Sequence, residues 1–192
     1  MEKSVEQKIQ WKFEDYMREI FQMEEADIRE YSPLTLAYIG DSIYDLVIKT
    51  LVVSKGNRPV NQLHRMTSSL VQASAQSRMM RTLQGILTEE EHGVYKRGRN
   101  AKRGRNAKSV SPAKNQSVTD YRRATGFEAL MGYLYLEKEW ERMLTLIRAG
   151  LDSLEAGEEA GKAGGDVPSA EVPGKDVPGK DKVRENHKED EL

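Results

Sequence analysis

Apolar side chains recur every three or four positions along most of the first 154 residues of this chain. That spacing gathers them on one side of an α-helix, whereas a half-buried strand needs strict alternation, which no segment has. Residues typical of helix starts interrupt the pattern at Ser32, Thr88 and Ser117. The sequence therefore predicts an all-α domain without a β-sheet.

Three regions follow from the pattern and composition of the 192 residues. We expect an N-terminal helical extension over residues 1–30, a helical domain over 31–154 and a tail over 155–192. The helices are expected at residues 4–23, 33–53, 59–83, from 88 onwards, 117–136 and 139–154. The tail is low in complexity and lacks aromatic residues, so it is predicted to be disordered because it cannot offset its ordering entropy.

The composition excludes several classes of protein. The chain has no cysteine, which rules out disulfides, zinc–thiolate sites and a cysteine nucleophile. It contains no apolar run of about 18 residues, so no membrane span is expected. The N-terminus is charged and has no apolar segment of the kind found in signal peptides. We expect a soluble, cytoplasmic protein.

Positive charge is concentrated in residues 96–123, here named the basic strip. It holds ten lysines and arginines and one acid, Asp120, a net charge of +9 in a chain whose total is −1. Residues 96–108 read KRGRNAKRGRNAK, which we interpret as a duplicated loop because glycine and asparagine disfavour helix. The strip predicts RNA or DNA binding, while a solvated loop or a contact for an acidic protein remains the alternative. The candidate RNA-binding residues are Arg97, Arg99, Asn100, Lys102, Arg103, Arg105, Asn106, Lys108, Lys114, Arg122 and Arg123.

Two apolar helical segments carry isolated carboxylates. Asp41 and Asp45 are the only charges in residues 33–48, and Glu128 is the only one in residues 124–136. Burying such a group is costly unless it is paired, hydrogen-bonded or bound to metal. Glycines beside these carboxylates (Gly40, Gly126 and Gly132) suggest close helix approach, which would bring Asp41 and Glu128 together.

Two interpretations of these carboxylates stay open on composition alone. One is a Mg²⁺ site, because Mg²⁺ prefers oxygen ligands and is often held by one or two carboxylates. The other is a pair of half-exposed carboxylates that cap a helix or pair with arginine. We expect Asp45 to lie at the solvent edge or to support the site from outside it.

The residues LAYIGDSIYD (36–45) resemble the signature helix of the ribonuclease III family in its small form, Mini-ribonuclease III. The segment RGRNAK and the later YRRATGFEALMGYLYL (121–136) resemble the second half of that family's motif, and the similarity runs over residues 31–151. The resemblance implies an all-α, Mg²⁺-dependent endoribonuclease that cuts double-stranded RNA as a homodimer. It also implies a role in maturing the ends of the 23S ribosomal RNA precursor, with a ribosomal protein as a candidate partner and no role for DNA or membranes.

Carried over by position, the resemblance makes Asp41 the catalytic signature aspartate and Glu128 the metal-binding glutamate, both serving as Mg²⁺ ligands. Larger ribonuclease III enzymes have two further acids, where this chain has Ala37 and Thr125. We therefore expect one ion per site, or a second one held largely by substrate phosphates. A non-catalytic module that binds double-stranded RNA during ribosome assembly is the alternative function.

Overall fold

The computed structural model describes residues 12–24, 27–101 and 117–163. Within these ranges it contains helices and no strand, which confirms the predicted all-α class. The α-helices are α1 (Lys12–Phe21), α2 (Pro33–Ser54), α3 (Val60–Val71), α4 (Ala73–Leu83), α5 (Glu89–Asn100), α6 (Val118–Leu136) and α7 (Trp140–Ala163). Short 3-10 turns occur at Ile28–Glu30 and Gln84–Ile86. None of the described helices combines the length and apolar character that a bilayer crossing requires.

Polar side chains cap the predicted helix starts. The Ser32 hydroxyl accepts a hydrogen bond from the Thr35 amide, and Pro33 occupies the first turn of α2. Thr88 begins α5 with a capping box, in which Glu91 bonds back to the Thr88 amide. The Ser117 hydroxyl accepts from two amides at the start of α6. These caps satisfy amides that have no partner within the helix, which is why local sequence located the helix starts.

The structure differs from the expected helix bounds in three places. The predicted helix 59–83 is divided at Gln72, whose extended backbone separates α3 from α4. The repeat begins inside a helix, because α5 continues through residues 96–100 before the chain leaves the described part. The last helix continues to Ala163, so residues 155–163 are helical although they were assigned to the disordered tail. Residues 1–11 and 164–192, which belong to the predicted N-terminal extension and tail, lie outside the described ranges.

Helix α6 lies at the centre of the domain and packs against α2, α4, α5 and α7. From residue 124 onwards its side chains are apolar on nearly every side, and such a segment is stable only when it is surrounded by other helices. The ring of Phe127 meets that of Tyr44 edge to face, with centroids 5.0 Å apart. Fully buried methionines and leucines from α4 and α7 complete the core.

Two glycines allow α2 and α6 to touch backbone to backbone. A Cβ atom on Gly40 would overlap the carbonyl oxygen of Glu128, and one on Gly132 would overlap the carbonyl oxygen of Leu36. These contacts confirm that Gly40 and Gly132 serve close helix approach. Gly126 has a different partner, because its open side faces the ring of Tyr95 on α5 rather than α2.

Replacing Gly40 by alanine is expected to lower the free energy of unfolding by about 3 kcal/mol, because the overlap is with backbone atoms that cannot rotate away. The matched control is Gly157→Ala in α7, where nothing lies within 4 Å of an added Cβ. There alanine should stabilise the helix by up to about 1 kcal/mol. Urea unfolding of the three proteins measures both effects, and wild-type stability of Gly40→Ala would contradict the close contact.

Candidate active site

Asp41 and Glu128 lie at the crossing of α2 and α6. Gly40 packs on the backbone of Glu128. Asp41 is the next residue in the chain, so its Cα atom lies about 3.8 Å from that of Gly40. The Asp41 side chain is exposed, whereas that of Glu128 is half-buried. The crossing thus brings the two helical turns that bear the predicted site residues together and leaves Asp41 accessible.

Electrostatics at this crossing disfavour a further negative charge. Partial burial, and secondly the nearby carboxylate of Asp45, raise the pKa of Asp41 above the ordinary value of 3.8. Asp45 itself is paired with Lys49, its carboxylate oxygen 2.6 Å from the Lys49 ammonium nitrogen. This pairing agrees with the expected position of Asp45 at the solvent edge. A cation beside Asp41 would offset both causes of its raised pKa.

The side chains that replace the two additional acids of larger enzymes cannot bind a cation. Ala37 is buried and apolar. Thr125 is also buried, and its hydroxyl donates to the carbonyl of Tyr121 one turn earlier in α6. In the described part of the chain no group of three or more acids or histidines is placed to hold a metal ion. The ligands left are the two carboxylates, and Mg²⁺ commonly takes such a partial set of protein ligands.

The described part of the basic strip points in two directions. Arg97 lines a cavity of about 410 Å³ whose other walls include Glu90 and Glu137. Arg99 lies over the ring of Tyr95, with 5.9 Å between the guanidinium carbon and the ring centroid. Arg97 and Arg99 are two residues apart, so their side chains leave the helix axis about 200° apart. These two arginines therefore cannot face one straight ligand together.

The other candidate RNA-binding residues divide between the helices and the undescribed segment. Asn100 is exposed at the end of α5, Arg122 is exposed in the first turns of α6, and Arg123 is half-buried. Lys102, Arg103, Arg105, Asn106, Lys108 and Lys114 lie outside the described residues.

Helices α3 and α4 carry a second positive surface, which lies outside the predicted basic strip. No aspartate or glutamate occurs between Asp45 and Glu89, although residues 46–88 contain six lysines and arginines. The exposed basic residues on and beside these helices are Arg58, His64, Arg65, Arg78 and Arg81. Counting each sign of charge separately would have found this surface, because the signal is the absence of acids rather than a dense run of bases.

Comparison with known proteins agrees with this arrangement. A family model described as the Ribonuclease III domain matches residues 34–139, more than half of the chain, and thereby defines its class. Among curated proteins, the Mini-ribonuclease 3 of Clostridium tetani is 44% identical over 136 residues, which cover 69% of this chain and 86% of that protein. The Mini-ribonuclease 3 of Enterococcus faecalis is 48% identical over 123 residues, covering 63% of this chain and 89% of that one.

The chain belongs to the Mini-ribonuclease 3 family, and it is an endoribonuclease. The crystal structure of a Fusobacterium nucleatum protein, at 30% identity, matches with a TM-score of 0.57 over 65% of this chain and 96% of that one. The resemblance noted in the sequence is therefore confirmed. Much of the N-terminal extension and tail lies outside these matches, since the family model covers only residues 34–139.

The raised pKa of Asp41 predicts a cost to folding at neutral pH. A carboxyl group whose pKa is higher in the folded than in the unfolded chain weakens folding as pH rises through the folded value. In the presence of a chelator, Asp41→Asn should therefore unfold at a higher urea concentration than wild type at pH 7. The difference should vanish well below pH 3.8, where the Asp41 carboxyl group of the wild type is protonated in both the folded and the unfolded state.

The matched control for this prediction is Asp152→Asn, because that carboxylate lies on α7 in an exposed pair with Arg148. It is expected to change the unfolding midpoint little at either pH. A loss of stability at pH 7 in Asp41→Asn would contradict the stated electrostatics of the crossing.

Proposed function

We propose that this protein is a Mg²⁺-dependent endoribonuclease that cuts double-stranded RNA and matures the ends of the 23S ribosomal RNA precursor in the cytoplasm. The observation that carries the proposal is the backbone contact of α2 with α6, which puts the exposed Asp41 beside the turn that bears Glu128. Membership of the Mini-ribonuclease 3 family supports the type of reaction. A ribosomal protein partner remains a prediction from the resemblance.

In this mechanism Asp41 and Glu128 hold the metal. Bound Mg²⁺ supplies an activated water and stabilises the negative charge that develops on the phosphate during hydrolysis. Gly40 and Gly132 keep the two carboxylate-bearing turns at a fixed separation, so that the ligands are oriented before substrate arrives. Ala37 and Thr125 add no oxygen anion, and the chain's own ligands are therefore expected to hold one ion.

The basic residues hold the RNA duplex through its phosphates. Asn100 precedes the undescribed segment 102–116 in the sequence and Arg122 follows it, and both are exposed. Six further candidates lie within that segment. Arginine offers forked donors that match phosphate oxygens, and each contact adds to the salt dependence of binding. Few aromatic residues lie in the strip, which favours contact with the backbone of a duplex over stacking on single strands.

Three large apolar side chains exposed on one side of α2 support the proposed homodimer. Tyr38 is 80% exposed, and Leu46 and Val53 are each 60% exposed. Their spacing along the helix places the three side chains within an arc of about 80°, which they share with exposed Ser42 and with Lys49, the ion-pair partner of Asp45. Because α2 also bears Asp41, a second copy packed on this face would bring two active sites close together, one for each strand of the duplex.

The nuclease is tested by cleavage of a perfect RNA duplex and of a 23S precursor stem with Mg²⁺. We expect discrete products that disappear with excess chelator. Asp41→Asn and Glu128→Gln should each lower the rate by about a thousandfold or more, because each removes one of two metal ligands. Both variants should still bind the duplex within a few-fold of wild type, since neither residue is part of the positive surface.

Asp152→Asn serves as the control for expression, folding and removal of an acid, and it should cleave at the wild-type rate. Duplex binding by the wild type without cleavage, in Mg²⁺ and in Mn²⁺, would contradict the proposed activity. That result would favour a non-catalytic module that binds double-stranded RNA during ribosome assembly.

The dimer is tested by Leu46→Lys, which places a further charge between Tyr38 and Val53 along the exposed face of α2. Sedimentation should change from the mass of a dimer to that of a monomer, because an unpaired buried ammonium group is costly. Ile86→Lys is the control, since Ile86 is also exposed but lies in a different part of the fold. A monomeric wild type, or a dimer that tolerates Leu46→Lys, would exclude this face as the interface.

A further inference from the structure

Asp120 is the one acid in the basic strip, and no other occurs between Glu91 and Glu128. It lies among residues whose charge suits a polyanion, and a carboxylate there repels phosphate. By charge alone this residue should weaken RNA binding. Its contacts with α4 suggest a compensating role.

The Asp120 carboxylate joins α6 to α4. The hydroxyl of Ser77, which is fully buried, donates to Asp120 Oδ1 at 2.6 Å. The guanidinium of Arg81 lies 3.7 Å from the same oxygen atom. The Arg81 side chain is 59% exposed, and that of Asp120 is 23% exposed. The carboxylate therefore connects a hydroxyl in the core with a guanidinium at the surface.

This junction lies where the chain returns from the undescribed segment 102–116. Asp120 is in the first turn of α6, and its amide donates to Ser117, the capping residue. Arg122 follows two residues later and is exposed. Arg78 precedes Arg81 by one turn of α4 and is exposed as well. Asp120 thus connects α4 with the first turn of α6, at the end of the basic strip.

We propose that Asp120, held by Ser77, is a positioning residue for RNA binding. It fixes Arg81 beside the start of α6, so that the acid-free surface of α4 and the exposed Arg122 contact the phosphates of the same duplex. The inference rests on the proposed function, since it requires that double-stranded RNA is the ligand. It adds Arg78 and Arg81 to the binding surface and gives the single acid of the strip a role.

Charge and positioning make opposite predictions for Asp120→Asn. Removing a negative charge near phosphate should tighten binding, whereas releasing Arg81 should weaken it. Binding of a fluorescent RNA duplex by the full chain, with chelator present, measures the dissociation constant. We expect an increase of about tenfold, which corresponds to about 1.4 kcal/mol. The kcat at saturating RNA with Mg²⁺ should remain within about twofold of wild type, so that the effect falls on KM.

Two further variants keep the test independent of the folding of Asp120→Asn. Ser77→Ala preserves every charge and should weaken binding in the same direction. Arg81→Gln, at an exposed position, should weaken binding and reduce the slope of log Kd against log salt by about one. Adding Asp120→Asn to Arg81→Gln should cause little further loss, because both changes act on one contact. Asp152→Asn is the control for removal of an ion-paired aspartate elsewhere.

The results distinguish the positioning role of Asp120 from the proposed nuclease function. Unchanged or tighter binding by Asp120→Asn, or an unchanged salt slope for Arg81→Gln, overturns the positioning role while the nuclease stands. A lower melting temperature for Asp120→Asn with unchanged Kd and KM shows that the contact is structural only, and also overturns it. Failure of the wild type to bind or cut duplex RNA would overturn the proposed function and this inference with it.

Discussion

The backbone contact between α2 and α6 is the constraint on which the rest of the structure depends. Helices that meet through side chains lie 8–10 Å apart, whereas glycine at the contact lets the two backbones come closer. Gly40 and Gly132 provide that contact from both sides. The two predicted metal ligands stand on the two helices at this point, so their separation is set by main-chain packing rather than by flexible side chains. A site built on rigid helices in this way is positioned before its ligand binds.

A second buried interaction connects the helices that pack around α6. Arg142, near the start of α7, donates to both carboxylate oxygens of Glu91 and to the carbonyl of Ile86. These bonds from Arg142 are the main cause that lowers the pKa of Glu91, in spite of its burial. The stability they give is present above pH 4.5 and is lost as pH falls through the lowered pKa. Glu91 also closes the capping box of α5, so one carboxylate ties the starts of α5 and α7 together.

The sequence allowed prediction of features whose cause is local and missed those whose cause is a distant partner. Ser32, Thr88 and Ser117 cap helices through bonds to amides a few residues away, and these starts were predicted. The division at Gln72 has no glycine or proline to signal it. The side-chain amide of Gln76 donates a hydrogen bond to the carbonyl of Val71, the last residue of α3. This bond can form only where the helix is already interrupted, so the sequence alone does not reveal it. Gly98 stays helical for a similar reason, because it packs on Ala129 of α6.

The candidate site shows the same division. The close approach of α2 and α6 was predicted from their glycines, but Gly126 faces Tyr95, because a glycine indicates close approach without identifying the partner. Likewise, the charge count identified a basic strip but could not show where its side chains point. On α5, Arg97 lines a cavity with two glutamates, whereas Arg99 lies over the ring of Tyr95. The orientation of these basic side chains is set by α5, which continues to Asn100, and by the contact of Asp120 with α4. A positive surface for a duplex therefore depends less on how many arginines the strip contains than on which helix faces the fold presents together.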